Sequence, residues 1–126
     1  MYKVETQICD MLDENTYVTK LDNGLNVYIC KKKGFKKKIG MFGTKYGSVT
    51  NDFVDIKTNT RIKVPDGIAH FLEHKLFEKE EQNALDMFSN IGVSSNAYTS
   101  FDQTVYYFET SNKFKESIEL LVKLIK

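Results

Sequence analysis

The sequence predicts an α+β fold, a mostly antiparallel sheet packed against helices. Three observations support it. Strand-like runs joined by a tight-turn signal open the chain. Helix-period runs follow in the middle and at the C-terminus. The two kinds of signal also come in blocks (strands, two helices, strands, helix) and not as alternating βαβ units. At 126 residues, residues 1–126 are expected to form one domain, long enough to bury about two-thirds of its unfolded surface.

The first element signal is TYVTKLDNGLNVYIC, residues 16–30, with Val18, Leu21, Leu25, Val27 and Ile29 on either side of Asp22-Asn23-Gly24. Asn-Gly tolerates the positive φ angles of a tight turn, so this reads as a hairpin. Residues 39–50 read as a further strand, weakened by Gly40, Gly43 and Gly47. Residues 51–64 are polar and irregular and read as a loop. Pro65 opens a helix from about Ile68 to about Glu78, with Asp66 as its N-cap. A second helix fits Gln82 to Ile91, with Ala84, Leu85, Phe88 and Ile91 on one face and Gly92 as its stop. Residues 96–110 are rich in aromatics, Thr and Val, which favours a strand or a hairpin bent around Phe101-Asp102. From Asn112 onward, Phe114, Ile118, Leu121, Val122 and Ile125 have helical spacing. That helix reaches the last residue with its apolar face needing cover, which reads as a truncated terminus.

Composition narrows the function. Hydrophobic residues make up 41% and charged residues 28%, which is ordinary for a globular protein and excludes a disordered chain or a collagen-like repeat. Lys plus Arg is 18 against 17 Asp plus Glu, so no whole-surface field draws nucleic acid or an anionic membrane. No apolar run approaches the ~18–20 residues that cross a bilayer, and the N-terminus has neither a signal-peptide core nor a transit-peptide composition. The expected location is cytoplasmic, with no membrane or nucleic-acid partner. Cys9 and Cys30 are too far apart in sequence for a CxxC motif and read as reduced, mostly buried thiols.

The strongest chemical signal is His70-Phe71-Leu72-Glu73-His74, which uses both histidines of the chain. On a helix advancing ~100° per residue, the two imidazoles and the carboxylate share an arc of roughly 100°. Two neutral imidazoles on adjacent turns suit zinc at ~2.0–2.1 Å. Zinc lowers the pKa of a bound water toward ~7, and a neighbouring carboxylate that takes its proton completes a nucleophile for amide attack. An i,i+4 His pair with a Glu between can also be an ordinary solvated helix face. Ile68, Phe71, Leu72, Leu76 and Phe77 weigh against that, because they predict a substantially buried helix whose polar side faces something specific.

HxxEH is the inverted zinc-protease signature. The segment Gly67-Ile68-Ala69-His70-Phe71-Leu72-Glu73-His74-Lys75-Leu76-Phe77 resembles the pitrilysin, insulysin and mitochondrial processing peptidase family of metallopeptidases. Leu21-Asp22-Asn23-Gly24-Leu25 with Val27 is similar to that family's N-terminal hairpin. Gly47-Ser48 falls at a matching strand end. Ser95-Asn96-Ala97-Tyr98-Thr99-Ser100, followed by Asp102, Thr104 and Tyr106-Tyr107-Phe108, resembles its NAxT strand. The resemblance spans about residues 16–126 and is nearest to bacterial processing-protease-like members. It implies that His70 and His74 are zinc ligands, that Glu73 is the general base, and that Asn96 and Ala97 lie on a sheet edge that binds peptide substrate as an added strand. It also implies a third ligand, a glutamate roughly 75–80 residues past the second histidine, beyond Lys126. A C-terminal homologous half-domain or partner subunit is implied as well. The expectation is an N-terminal fragment of a zinc metalloendopeptidase, inactive by itself. The alternative is a non-catalytic partner or scaffold of the same fold.

Lys31–Lys33 and Lys36–Lys38 surround Gly34 and Phe35. Six lysines could contact phosphates. Arg61 is the one arginine, however, which leaves almost no bidentate base reader. A solvated loop or a charged sheet edge is the better reading.

Overall fold

A computed structural model of the chain describes residues 2–11, 13–77 and 83–125. The chain divides into two compact units, Met1–Lys36 and Lys37–Lys126. Among the described residues, no helix is long and apolar enough to cross a membrane.

The first unit is an antiparallel meander of β1 (Val4–Cys9), β2 (Glu14–Lys20) and β3 (Asn26–Cys30), in that order. The turn between β2 and β3 is the one Asn23-Gly24 predicts. Gly24 has φ +87° and donates to the Leu21 carbonyl at 2.9 Å, while Asn23 Oδ1 accepts from the Leu25 N–H at 3.1 Å. Strand β1 carried no expectation, although Val4, Thr6 and Ile8 alternate with polar residues in the strand pattern. It pairs with β2 along its whole length. Cys9 and Cys30 are exposed free thiols and not buried ones. Each ends an outer strand of a thin sheet that has no buried residue among those described. Residues 31–37 follow as an exposed loop with Gly34 at φ +82°. Lys32 pairs with Glu14, and Lys37 with Glu109 at 2.7 Å.

The second unit runs β4 (Lys38–Thr44), β5 (Asp52–Asp55), β6 (Thr60–Lys63), α1 (Ile68–Phe77), α2 (Ala84–Asn90), β7 (Ser94–Thr99), β8 (Thr104–Thr110) and α3 (Phe114–Ile125). Its main sheet has the order β4-β8-β7, antiparallel throughout. Helices α1 and α2 pack on β7, and α3 packs on β4 and β8, which gives the predicted α+β architecture. Phe88, Phe108 and Leu121 are fully buried at the centre, with Ala84, Val93 and Tyr106 around them. Burying each large apolar side chain contributes roughly 1.5–3 kcal/mol. Gly40 lies across from Phe108 in the β4–β8 pair, and any Cβ there would overlap the Phe108 ring.

Residues 51–64 are not a loop but contain the hairpin β5–β6, where Phe53 faces Ile62 and Arg61 grips Asp52 through two hydrogen bonds of 2.7 Å. The strand expected over 39–50 ends at Thr44, and the chain then turns. Ser48 and Val49 donate to the carbonyls of Ser100 and Phe101 at 2.9 and 3.1 Å, and Gly47 sits so close to the 101–102 backbone that no side chain fits. Asp66 does not cap α1. Its carboxylate takes the Asn51 amide at 2.6 Å, and the Gly67 carbonyl accepts the first helical N–H, from Phe71, at 3.1 Å. In α1, Ala69 is buried but Phe71 and Leu72 are exposed, so this helix is less buried than its apolar content predicts. The expected helix end at Glu78 lies outside the described residues. So does Gln82. Asn83 caps α2 by accepting the Leu85 N–H at 3.0 Å. Leu85 is turned outward, away from the face formed by Ala84 and Phe88. Gly92, at φ +71°, terminates α2 as predicted. Residues 96–110 adopt the hairpin alternative, β7–β8.

Candidate active site

Helix α1 leaves the sheet through Pro65-Asp66-Gly67. Gly67 adopts φ +82°, and its N–H donates to the Ser48 carbonyl at 3.1 Å. This fixes where the helix starts. Ala69, with its small side chain, lies buried. His70 and His74 are exposed, and Glu73 is half-buried.

The two imidazoles converge, with Nε2 to Nε2 at 3.0 Å, ring centroids 4.8 Å apart and planes tilted by 33°. In neutral imidazoles one Nε2 must donate and the other accept for such a contact. The same convergence fits two ligands of one metal ion. Nitrogens ~2.0–2.1 Å from a tetrahedral zinc lie about 3.3 Å apart, so slight ring rotation opens the pair enough. Among the described residues, no cluster of three or more His, Cys, Asp and Glu could hold a metal ion. The residues present therefore fit part of a catalytic zinc site, which normally uses three protein ligands. Glu78, Glu80 and Glu81 lie outside the described residues.

Glu73 is anchored from across the fold. Its Oε2 accepts the Thr99 hydroxyl at 2.7 Å. Thr99 Oγ1 lies 3.3 Å from Thr104 Oγ1, and Thr104 donates to the Tyr46 carbonyl at 2.7 Å. Buried Tyr106 feels the same carboxylate. Its phenol is pushed above the ordinary tyrosine range, chiefly by burial and then by the negative charge of Glu73.

Asn96 and Ala97 lie on β7, which pairs with β8 on one side only among the described residues. Asn96 is exposed and its Oδ1 accepts the Ala97 N–H at 2.8 Å. One backbone donor of that strand is thus already held by a neighbouring side chain. Three residues further on, the same strand delivers Thr99 to Glu73. Thr99 and Thr104 carried no separate assignment in the sequence. The alternation Ser95, Ala97, Thr99 marks one face of β7, but its meeting with α1 is a tertiary fact.

A helix-borne HxxEH beside an antiparallel sheet is the arrangement of the inverted-motif peptidases. The chain belongs to the insulinase family, peptidase family M16, which it matches over residues 54–126. It is 46% identical over 117 residues to the uncharacterized zinc protease YmfH of Bacillus subtilis, covering 93% of this chain and 27% of that protein. It is 32% identical over 120 residues to the beta subunit of the mitochondrial-processing peptidase of Rattus norvegicus, covering 88% of this chain and 22% of that one. An M16-like peptidase from Alicyclobacillus acidocaldarius superposes with a TM-score of 0.76 at 33% identity, covering 99% of this chain and 26% of its own. The chain spans about a quarter of the length of these relatives. Family and fold agree with the resemblance carried by HFLEH and NAYTS.

Proposed function

We propose that this chain is the N-terminal portion of a zinc-dependent metalloendopeptidase. His70 and His74 supply two zinc ligands, and Glu73 acts as general base. A third ligand comes from outside residues 1–126, together with a C-terminal homologous half-domain or partner subunit. The observation that carries the reading is the 3.0 Å convergence of the two Nε2 atoms on the helix that also bears Glu73. Membership of a peptidase family supports it. When bound, zinc supplies the Lewis acidity that polarises a carbonyl and acidifies water. Glu73 takes the proton on the carboxylate whose Oε2 is held by Thr99. Asn96 and Ala97 receive the peptide along β7, with the Asn96 side chain moving off the Ala97 N–H as the substrate backbone pairs.

Glu73→Gln in the complete protein should abolish hydrolysis of a fluorescence-quenched casein and leave zinc content unchanged, as measured by atomic absorption. Retained hydrolysis rejects Glu73 as the base. A non-catalytic scaffold of the same fold is the second reading. One tightly held zinc per complete chain rejects the scaffold, and none rejects the enzyme.

A further inference from the structure

We propose that Thr99 is a positioning residue for the Glu73 carboxylate, and that Thr104 and the Tyr46 carbonyl fix the direction of its hydrogen bond. The inference rests on the reading of Glu73 as base. Thr44, Thr104 and Thr99 form one row across β4, β8 and β7, since Thr104 is the register partner of both others. Each hydroxyl has a single proton to give. Thr104 Oγ1 lies 2.7 Å from the Tyr46 carbonyl, which can only accept, so the Thr104 proton is committed there. Thr104 is buried, so water does not compete for that bond. The Thr104 oxygen then offers Thr99 only lone pairs, across 3.3 Å. Thr99 gives its own proton to the closer, negatively charged acceptor, Glu73 Oε2 at 2.7 Å. A sheet-borne hydroxyl thus clamps one oxygen of a long, half-buried side chain, which restricts the directions the other oxygen can take. Fixing a proton acceptor this way lowers the cost of reaching the reactive geometry.

Thr99→Val keeps the β-branched shape and leaves no orphaned donor, because the Thr104 proton still reaches Tyr46. The fold should survive, which the melting temperature checks. NMR on the chain itself should show the side-chain three-bond couplings of Glu73 going from a single rotamer to averaged values in Thr99→Val, and back in Thr99→Ser. In the complete zinc-loaded protein, Thr99→Val should lower kcat for quenched casein by about tenfold to hundredfold, with KM and zinc content unchanged. Thr99→Ser should restore kcat. Unchanged Glu73 couplings in Thr99→Val overturn the proposal. So does an unchanged kcat where Glu73→Gln is inactive. If Glu73→Gln retains turnover, the base assignment fails instead, and the couplings alone decide whether Thr99 orients the carboxylate.

Discussion

Tyr106 lies where the hydrophobic centre of the second unit meets the charge of Glu73. Burial opposes phenolate formation first, and the nearby carboxylate opposes it further. An ultraviolet pH titration should therefore contain a tyrosine component ionising above the ordinary value of about 10, missing in Tyr106→Phe and shifted downward in Glu73→Gln. The linkage has a definite sign. The unfolded chain ionises at the ordinary value while the folded one resists, so this contribution is complete below about pH 10 and is lost as pH rises through the folded value. A late component that persists in Tyr106→Phe would assign it elsewhere. Residue-scale legibility follows the same division between local and distant causes. The meeting of His70 and His74 is a local matter, because helical spacing alone brings their Nε2 atoms to 3.0 Å. The Thr99–Glu73 bond joins residues 26 positions apart, and only the packing of α1 on β7 creates it.

Helices and turns were legible where one residue does the work. Gly24 and Gly92 both take positive φ at the positions the sequence assigned to a turn and a helix stop. The β5–β6 hairpin was hidden because its strands are four residues each and outnumbered by polar neighbours. It is closed by the Asp52–Arg61 pair, the Asp55 carboxylate accepting the Lys57 N–H at 2.9 Å, and a left-handed Asn59. No alternating pattern of useful length announces it. Helix α2 is a third case. Its start was placed about two residues early, and the residue that sets it is Asn83, whose side chain satisfies the otherwise unpaired Leu85 N–H. Asn83→Ala should cost about 0.5–2 kcal/mol in urea unfolding, and Asn83→Asp or Asn83→Ser should recover most of it. A neutral alanine variant would mean that packing of Ala84 and Phe88, not the cap, fixes where α2 begins.

At the scale of the whole molecule, the two units differ in what holds them. The second has a closed core in which Phe108 stacks with Phe88 at 6.0 Å and meets Phe114 at 5.5 Å. Its central strand, β8, is hydrogen-bonded on both sides. The first has three strands and no buried residue among those described, with Val4, Ile8 and Ile29 exposed. Sheets of this size depend on an apolar face being covered, because the hydrogen bonds of a thin sheet exchange with water at little net cost. Local opening free energies should follow that difference, since protection reflects buried apolar contact and not the mere presence of a ladder. Hydrogen exchange on the 126-residue chain should therefore show β8 amides as the slowest and β1 amides as the fastest of any strand. Low urea should remove protection from β1–β3 before it affects β8. Protection of β1 equal to that of β8, lost at the same urea concentration, would mean that the first unit is stabilised by far more than the pairing described for it.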